Sequence, residues 1–519
     1  MTSTTEHRDV VIVGGGHNAL VAATLLARAG LTVAVLERLE HVGGAAVSAQ
    51  AFPGHEARLS RYSYLVSLFP DRLREELGLR LELRSRDTAS YSPYVRDDGS
   101  PDGLLVETVV GEPTRESFRR LTGGDNELVA WERFYADVEG LAAAVAPTLL
   151  GPLPPVRDLR ARVDPATWRD LVERPLGEAI ERRFTDDLVR GVVATDALIG
   201  TFASLHEPSL TQNRCFLYHL VGNGTGEWRV PVGGMGAVTG ELERVAREAG
   251  AEIVTGTPVE TVSAGEDAVL VTSGDRTWRA AHVLSGVAPA VLADLLGSPV
   301  DTRPEGSQLK VNLLLSRLPR LRSGLDPQVA FAGTLHLGES YTELETAHTE
   351  ASAGRLPSRA AGEVYCHTLT DRSILGPELA ATEAQTLTYF GLHTPPATLG
   401  DAAATEDAYA RVVTALEEHL AEPLSPLVLG VEVKTPSDIE TALAMPGGHI
   451  FHGDLAWPRL EEGEPADTPA TRWGVATAHP RVLLCGSGAR RGGAVSGLGG
   501  HAAAAALVEQ LGIGDLDLS

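Results

Sequence analysis

The stretch that most narrows what this chain can become runs from Asp9 to Arg38, DVVIVGGGHNALVAATLLARAGLTVAVLER. Val10 to Val13 form an unbroken apolar run, the pattern of a parallel strand buried on both faces. Ala19 to Ala29 continue as good helix formers, and Gly30 marks the helix end. Leu31 to Leu36 supply a second apolar strand, so one βαβ unit is spelled out in about thirty residues. Gly14 and Gly16 fall where the first strand turns into the helix. Without side chains there, the backbone turns sharply and a pyrophosphate reaches the helix N-terminus. Ala19 takes the third small position, where helix and strand pack closely. Glu37 follows 23 positions after Gly14, at the end of the second strand, where a carboxylate accepts both hydroxyls of an adenosine ribose. An acid at that position disfavours a 2′-phosphate, leaving FAD or NAD rather than NADP.

Bulk properties narrow the function further. With 519 residues, 43% hydrophobic and 22% charged, the chain can build a large globular core. A net charge of −25 and the absence of any Lys/Arg-rich run argue against nucleic acid as a partner. Lys310 and Lys434 are the only lysines, and neither follows a glycine as a P-loop lysine must. Cys215, Cys366 and Cys485 lie too far apart for a C-x-x-C pair, and read as buried thiols of a cytoplasmic protein. The polar MTSTTEHRD start does not resemble a signal peptide. No run of 18 apolar residues predicts a spanning helix, while peripheral membrane contact stays open.

Arg38 and the pair Gly43–Gly44 close behind Glu37 are similar to an extended flavin motif, in which the glycine pair lets a loop close over the cofactor. GGGHNALVAATLLARAGLTVAVLER with VGGAAV resembles the phytoene desaturase-related FAD-dependent oxidoreductases. The likeness is closest to the subgroup that includes pyridine nucleotide-disulphide oxidoreductase domain-containing protein two. Gly226 to Val262, Pro436 to Leu455 and Val482 to Ala505 extend it over the whole chain.

The resemblance implies an α/β protein: a glutathione-reductase-type FAD-binding Rossmann fold with a discontinuous α/β substrate domain and a helical portion. The expected division is 1–85, 226–300 and 471–519 for the FAD-binding domain, and 86–225 with 301–470 for the substrate domain and its helical cap. FAD is the implied cofactor. His17 and Asn18 belong to the phosphate loop, with His17 supporting the pyrophosphate, and Val259 is implied to touch the adenine. Gly486, Gly488, Gly493, Val495 and Gly497 match the terminal strand-turn-helix that contacts the ribityl, phosphate and isoalloxazine edge. Two positions depart from the pattern: Arg491 stands where proline is common and Ala494 where glycine is common. Only 31 residues follow Gly488, too few for a second complete nucleotide domain.

Elsewhere, Leu176, Ile180, Phe184, Leu188 and Val192 recur every four residues and predict one amphipathic helix. Gly151 to Asp158 reads as a loop or lid hinge, the segment after Leu309 as a strand, and Asp407 to Leu420 as a helix. His449 and His452 form H-x-x-H without an evident third ligand, so His452 and Asp454 read as structural or as lining the substrate cleft. Cys366 and His367 read as strand residues, and Ser496 lacks the G-x-S-x-G frame of a nucleophile elbow.

The leading expectation is an FAD-dependent desaturase or dehydrogenase that moves a hydride from a small apolar organic substrate to flavin N5. Oxygen, a quinone or another carrier would reoxidise the flavin. No catalytic base can be named from the sequence. Two alternatives stay open: a flavin-dependent isomerase or cyclase without net redox, and a non-catalytic flavin-binding interaction protein, the latter suggested by Arg491 and Ala494.

Overall fold

The computed structural model describes residues 4–519. β1 (Thr4–Val13) leads into the helix His17–Arg28, and the chain returns as β2 (Val33–Leu36), parallel to β1 with Val10 opposite Val33. Val10 to Val13 and all of β2 are buried, as the apolar runs require. Their sheet adds β9 (Glu252–Val254), β10 (Thr261–Ala264), β11 (Val269–Ser273), β12 (Arg276–Ser285) and β18 (Val482–Leu484). The order is β10-β11-β12-β1-β2-β9, and β18 pairs with the end of β12. β9, β2, β1, β12 and β18 run parallel, while β10, β11 and β12 form an antiparallel meander. Between β9 and β10 the chain breaks out of the sheet, because Gly256 turns left-handed and its N–H bonds to Leu39 O. Thr257 N then bonds to Glu37 O, which carries Pro258 and Val259 past the end of β2.

A second sheet comprises β6 (Thr88–Val95), β7 (Pro101–Glu107), β13 (Lys310–Leu315), β14 (Thr334–Leu337), β15 (Gly362–Tyr365), β16 (Gln385–Gly391) and β17 (Val428–Lys434). Its order is β17-β13-β16-β15-β14-β6-β7, antiparallel except between β14 and β6. Side chains alternate between faces with period two. One face sends Val311, Leu313, Leu315, Leu387, Tyr389, Val364 and Leu335 into a separate core with Ala408, Val412 and Leu416. Those last three lie on the helix Ala402–Glu417, somewhat earlier than expected because Asp401 caps it, accepting from Ala404 N at 2.8 Å. The other face carries Lys310, Phe390, Glu363 and His336 in one row of direct partners across four strands. Two short ribbons, β3 (Ser48–Gln50) with β4 (Arg58–Ser60) and β5 (Leu83–Arg84) with β8 (Val230–Pro231), complete the strands.

Helices fill most of 112–220. The single helix predicted by the four-residue stripe is two, Leu176–Arg183 and Asp187–Ala194. Phe184 is extended (φ −119°, ψ 150°), and the Asp186 carboxylate caps the second helix by accepting from Leu188 N and Val189 N, both at 3.0 Å. Residues 151–155 form a loop pinned by Leu153 N to Arg472 O and by Arg491, whose guanidinium donates to Leu149 O at 3.0 Å and Gly151 O at 2.5 Å. Cys366 and His367 are not strand residues: β15 ends at Tyr365, and they open the one-turn helix His367–Thr370. All three cysteines are free and buried. Among the described residues no helix is long and apolar enough to cross a membrane.

Candidate functional site

The parallel strands of the first sheet end together, and the turns after β1, β2, β12 and β18 open into one cavity. That is where ligands sit in open α/β sheets. The polar face of the second sheet forms the far wall. The empty space is about 1940 Å³, open solvent at the mouth included. Its lining runs from the first glycine turn across to Lys310, Glu363 and Phe390 of the second sheet.

The first-sheet end has the chemistry of a dinucleotide cradle. Gly14 is left-handed (φ 88°), and a Cβ built at Gly16 would meet no protein atom within 4 Å, so the glycine turn leaves clear space before the helix. Gly16 is the N-cap of the helix His17–Arg28 and offers no side-chain cap, so the free N–H groups of that turn face the cavity with the positive end of the helix dipole. Glu37 is buried. Its carboxylate accepts from Gly15 N at 2.7 Å and Leu39 N at 2.8 Å, which fixes it at the strand end with lone pairs left for sugar hydroxyls. Asn18 Nδ2 donates to Gly492 O at 2.9 Å, tying the first glycine turn to the last one. Its Oδ1, His17 Nε2 and His452 Nδ1 are buried without protein partners. Burial pushes His17 and His452 down to about 4, so both rings are neutral at physiological pH.

The second-sheet end is aromatic and ionisable. Lys310 is buried, and its ammonium lies 4.6 Å from the Tyr64 ring centre and 4.9 Å from that of Phe390. It donates to Tyr62 O and has no carboxylate beside it. Desolvation alone pushes it down to about 7. Glu363, two strands away in the same row, accepts from the Tyr365 hydroxyl, and burial together with the nearby Glu339 holds its carboxyl well above the usual range. Behind it His336 pairs with Glu339, and burial pushes Asp196 up to about 6. Tyr62, Leu65, Ile199, Trp228, Met445 and Phe451 supply apolar wall.

Of the residues singled out in the sequence, Gly14, Gly16, His17, Asn18, Ala19, Glu37, Arg38, Gly44, Val259, Gly486 and Val495 line this cavity. Gly43, Gly488, Gly493 and Gly497 do not. A Cβ at Gly43 would crowd Thr239 and Val47, one at Gly488 would strike Pro289, and one at Gly493 would strike Leu455. Gly497 caps the helix Leu498–Leu511 with φ 71°. These four let the backbone pack behind the wall. His452 lines the cavity, whereas Asp454 stands apart and faces His449 Nε2 at 3.7 Å. Among the described residues no group of three or more His, Cys, Asp or Glu side chains could hold a metal ion. Ala494 lines the cavity in a left-handed conformation (φ 57°), which explains why glycine is common there. Sequence reasoning missed Gly286, Val287, Ser487 and the whole second-sheet end. Only Gly286, directly after the long strand β12, carries a local signal, that of a second glycine turn at a strand end.

Residues 20–318 match the family described as flavin containing amine oxidoreductase. An uncharacterized protein of Mycobacterium tuberculosis is 49% identical, with 96% of this chain and 97% of that protein covered. Pyridine nucleotide-disulfide oxidoreductase domain-containing protein 2 of Rattus norvegicus is 30% identical over 96% of this chain and 92% of its own length. A solved putrescine oxidase variant has the same fold, with a TM-score of 0.59 at 20% identity, covering 98% of this chain and 99% of that one.

Proposed function

The chain belongs to the flavin containing amine oxidoreductases, and from that premise we propose that it removes a hydride from a C–H bond of an organic substrate with an apolar body. Its cofactor is FAD, and the donor set fits that group. The Gly14–Gly16 turn and the helix N-terminus would hold the pyrophosphate, Glu37 the adenosine ribose, and the Gly486–Ser487 turn with Val495 the ribityl and ring edge. When bound, FAD supplies the two-electron acceptor for the hydride.

The chain's own side chains divide the remaining work. The aromatic and aliphatic walls around Tyr64, Trp228, Phe390 and Phe451 exclude water and orient the substrate body. As the hydride leaves with its electron pair, a proton must leave the substrate too. Lys310 Nζ, at the second-sheet end beside the aromatic wall, can receive it, because its amine is neutral for part of its population near pH 7. The observation that carries this reading is that one cavity joins the dinucleotide cradle to a buried lysine without a carboxylate partner. Desaturation of a C–C bond and oxidation of a C–N or C–O bond all fit this arrangement, with oxygen, a quinone or another carrier taking the electrons afterwards.

The test is anaerobic mixing of the flavin-loaded protein with apolar amines, alcohols and alkenes while the flavin absorbance is followed. Bleaching by one class, with one oxidised product per flavin, is the expected outcome. No bleaching by any class would sink the proposal, and a product of unchanged oxidation state would point to isomerisation.

A further inference from the structure

The second-sheet end of the cavity carries more charge than an apolar body needs. Arg86, just before β6, lines it, and desolvation lowers the guanidinium below its ordinary value. Tyr365, Glu363 and Glu227 act on it through their charges only. Among the described residues Arg86 makes no ion pair, and its side chain donates no hydrogen bond. Arg86 is half-buried, and a guanidinium partly withdrawn from water without a partner is costly. Glu363 is a poor counter-ion, since its carboxyl is engaged by the Tyr365 hydroxyl and is held toward the protonated form by burial and by Glu339. Asp196 is not among the groups that act on Arg86. The cavity thus presents a planar five-donor fork to a ligand, and the anion that matches such a fork with two parallel hydrogen bonds is a carboxylate.

Resting on the oxidoreductase reading of this cavity, the geometry points to a substrate whose apolar body ends in a carboxylate held by Arg86. Glu363 and Lys310 stand in one row with Phe390 between them, two strand spacings or about 10 Å apart. Since Arg86 lies toward Glu363, the anionic end and the reacting C–H near Lys310 are separated by several carbon–carbon bonds, alongside the Tyr64 and Phe390 rings.

The experiment titrates the flavin-loaded protein with 4-phenylbutyrate, 4-phenylbutanamide and 4-phenylbutylamine, reading both the flavin absorbance change and the melting temperature. The acid should bind at least about tenfold more tightly than the isosteric amide, the scale of a charge-assisted pair. Arg86→Met should erase that preference at unchanged flavin content, and Arg86→Lys should keep part of it. Equal binding of acid and amide, or a preference that survives Arg86→Met, overturns the proposal. Tighter binding of the amine overturns it as well, in favour of a cationic head group against Glu363 and Asp196. Should Arg86→Met fail to fold, the acid-to-amide ratio in the unaltered protein still decides. A purified protein that takes up no flavin would bring down the oxidoreductase reading itself, and the melting temperature would still show whether the acid binds.

Discussion

Lys310 is one of two lysines in the chain, buried between two rings and bonded to a single backbone carbonyl. Its value falls from 10.5 to about 7, so across that range the unfolded chain binds the proton that the folded chain releases. The contribution of Lys310 to stability is therefore complete above 10.5 and is lost as pH falls toward 7. The same depression places an acid limb near pH 7 on the rate of flavin reduction, with the rate rising as the amine loses its proton. Lys310→Met should lower that rate by about 10²–10⁴-fold and remove the limb while flavin content stays constant, as stopped-flow reduction across pH 5–9 would show. Ala494 offers a separate reading of local strain. An alanine held at φ 57° sits in a region that favours glycine, so Ala494→Gly should stabilise the protein by a few tenths to about 1 kcal/mol in a denaturant titration. No gain would mean that the alanine methyl makes contacts that offset the strain.

Among elements, legibility followed contiguity. The strand-helix-strand unit from Val10 to Leu36 could be read because its periodicities, glycines and terminal acid are neighbours in sequence. The break at Phe184 could not, because a four-residue stripe runs on through it: Leu176, Ile180, Phe184 and Val192 are all buried although they fall on two helices and the extended residue between them. The signal that marks the break is Asp186, a capping residue inside the stripe. Asp186→Ala should cost about 1 kcal/mol, measured by urea unfolding, by leaving Leu188 N and Val189 N without their acceptor. The second-sheet end of the site was hidden for another reason. Lys310, Glu363, Tyr365 and Phe390 come from three separate strands and Arg86 from the approach to a fourth, and reading a strand does not reveal which face meets a cavity.

In the whole molecule, the cofactor cradle is assembled from distant parts of the chain, with Gly14 to Arg38, Val259, Gly286 and Gly486 meeting only in the folded state. A ligand that binds the folded state alone stabilises it by mass action, about 2.7 kcal/mol when its concentration is 100 times its dissociation constant. FAD added to the apoprotein should therefore raise the melting temperature progressively with concentration. Glu37→Ala removes the carboxylate held by Gly15 N and Leu39 N, so at equal FAD concentration its shift should shrink or vanish. Lys310→Met, at the opposite end of the cavity, should keep the full shift while losing turnover. That pair of variants separates holding the cofactor from using it. If both lost the FAD shift, the two ends would fold as one cooperative unit with the cofactor. If neither did, the ribose would not be held by Glu37, and the cradle reading of the first glycine turn would fall.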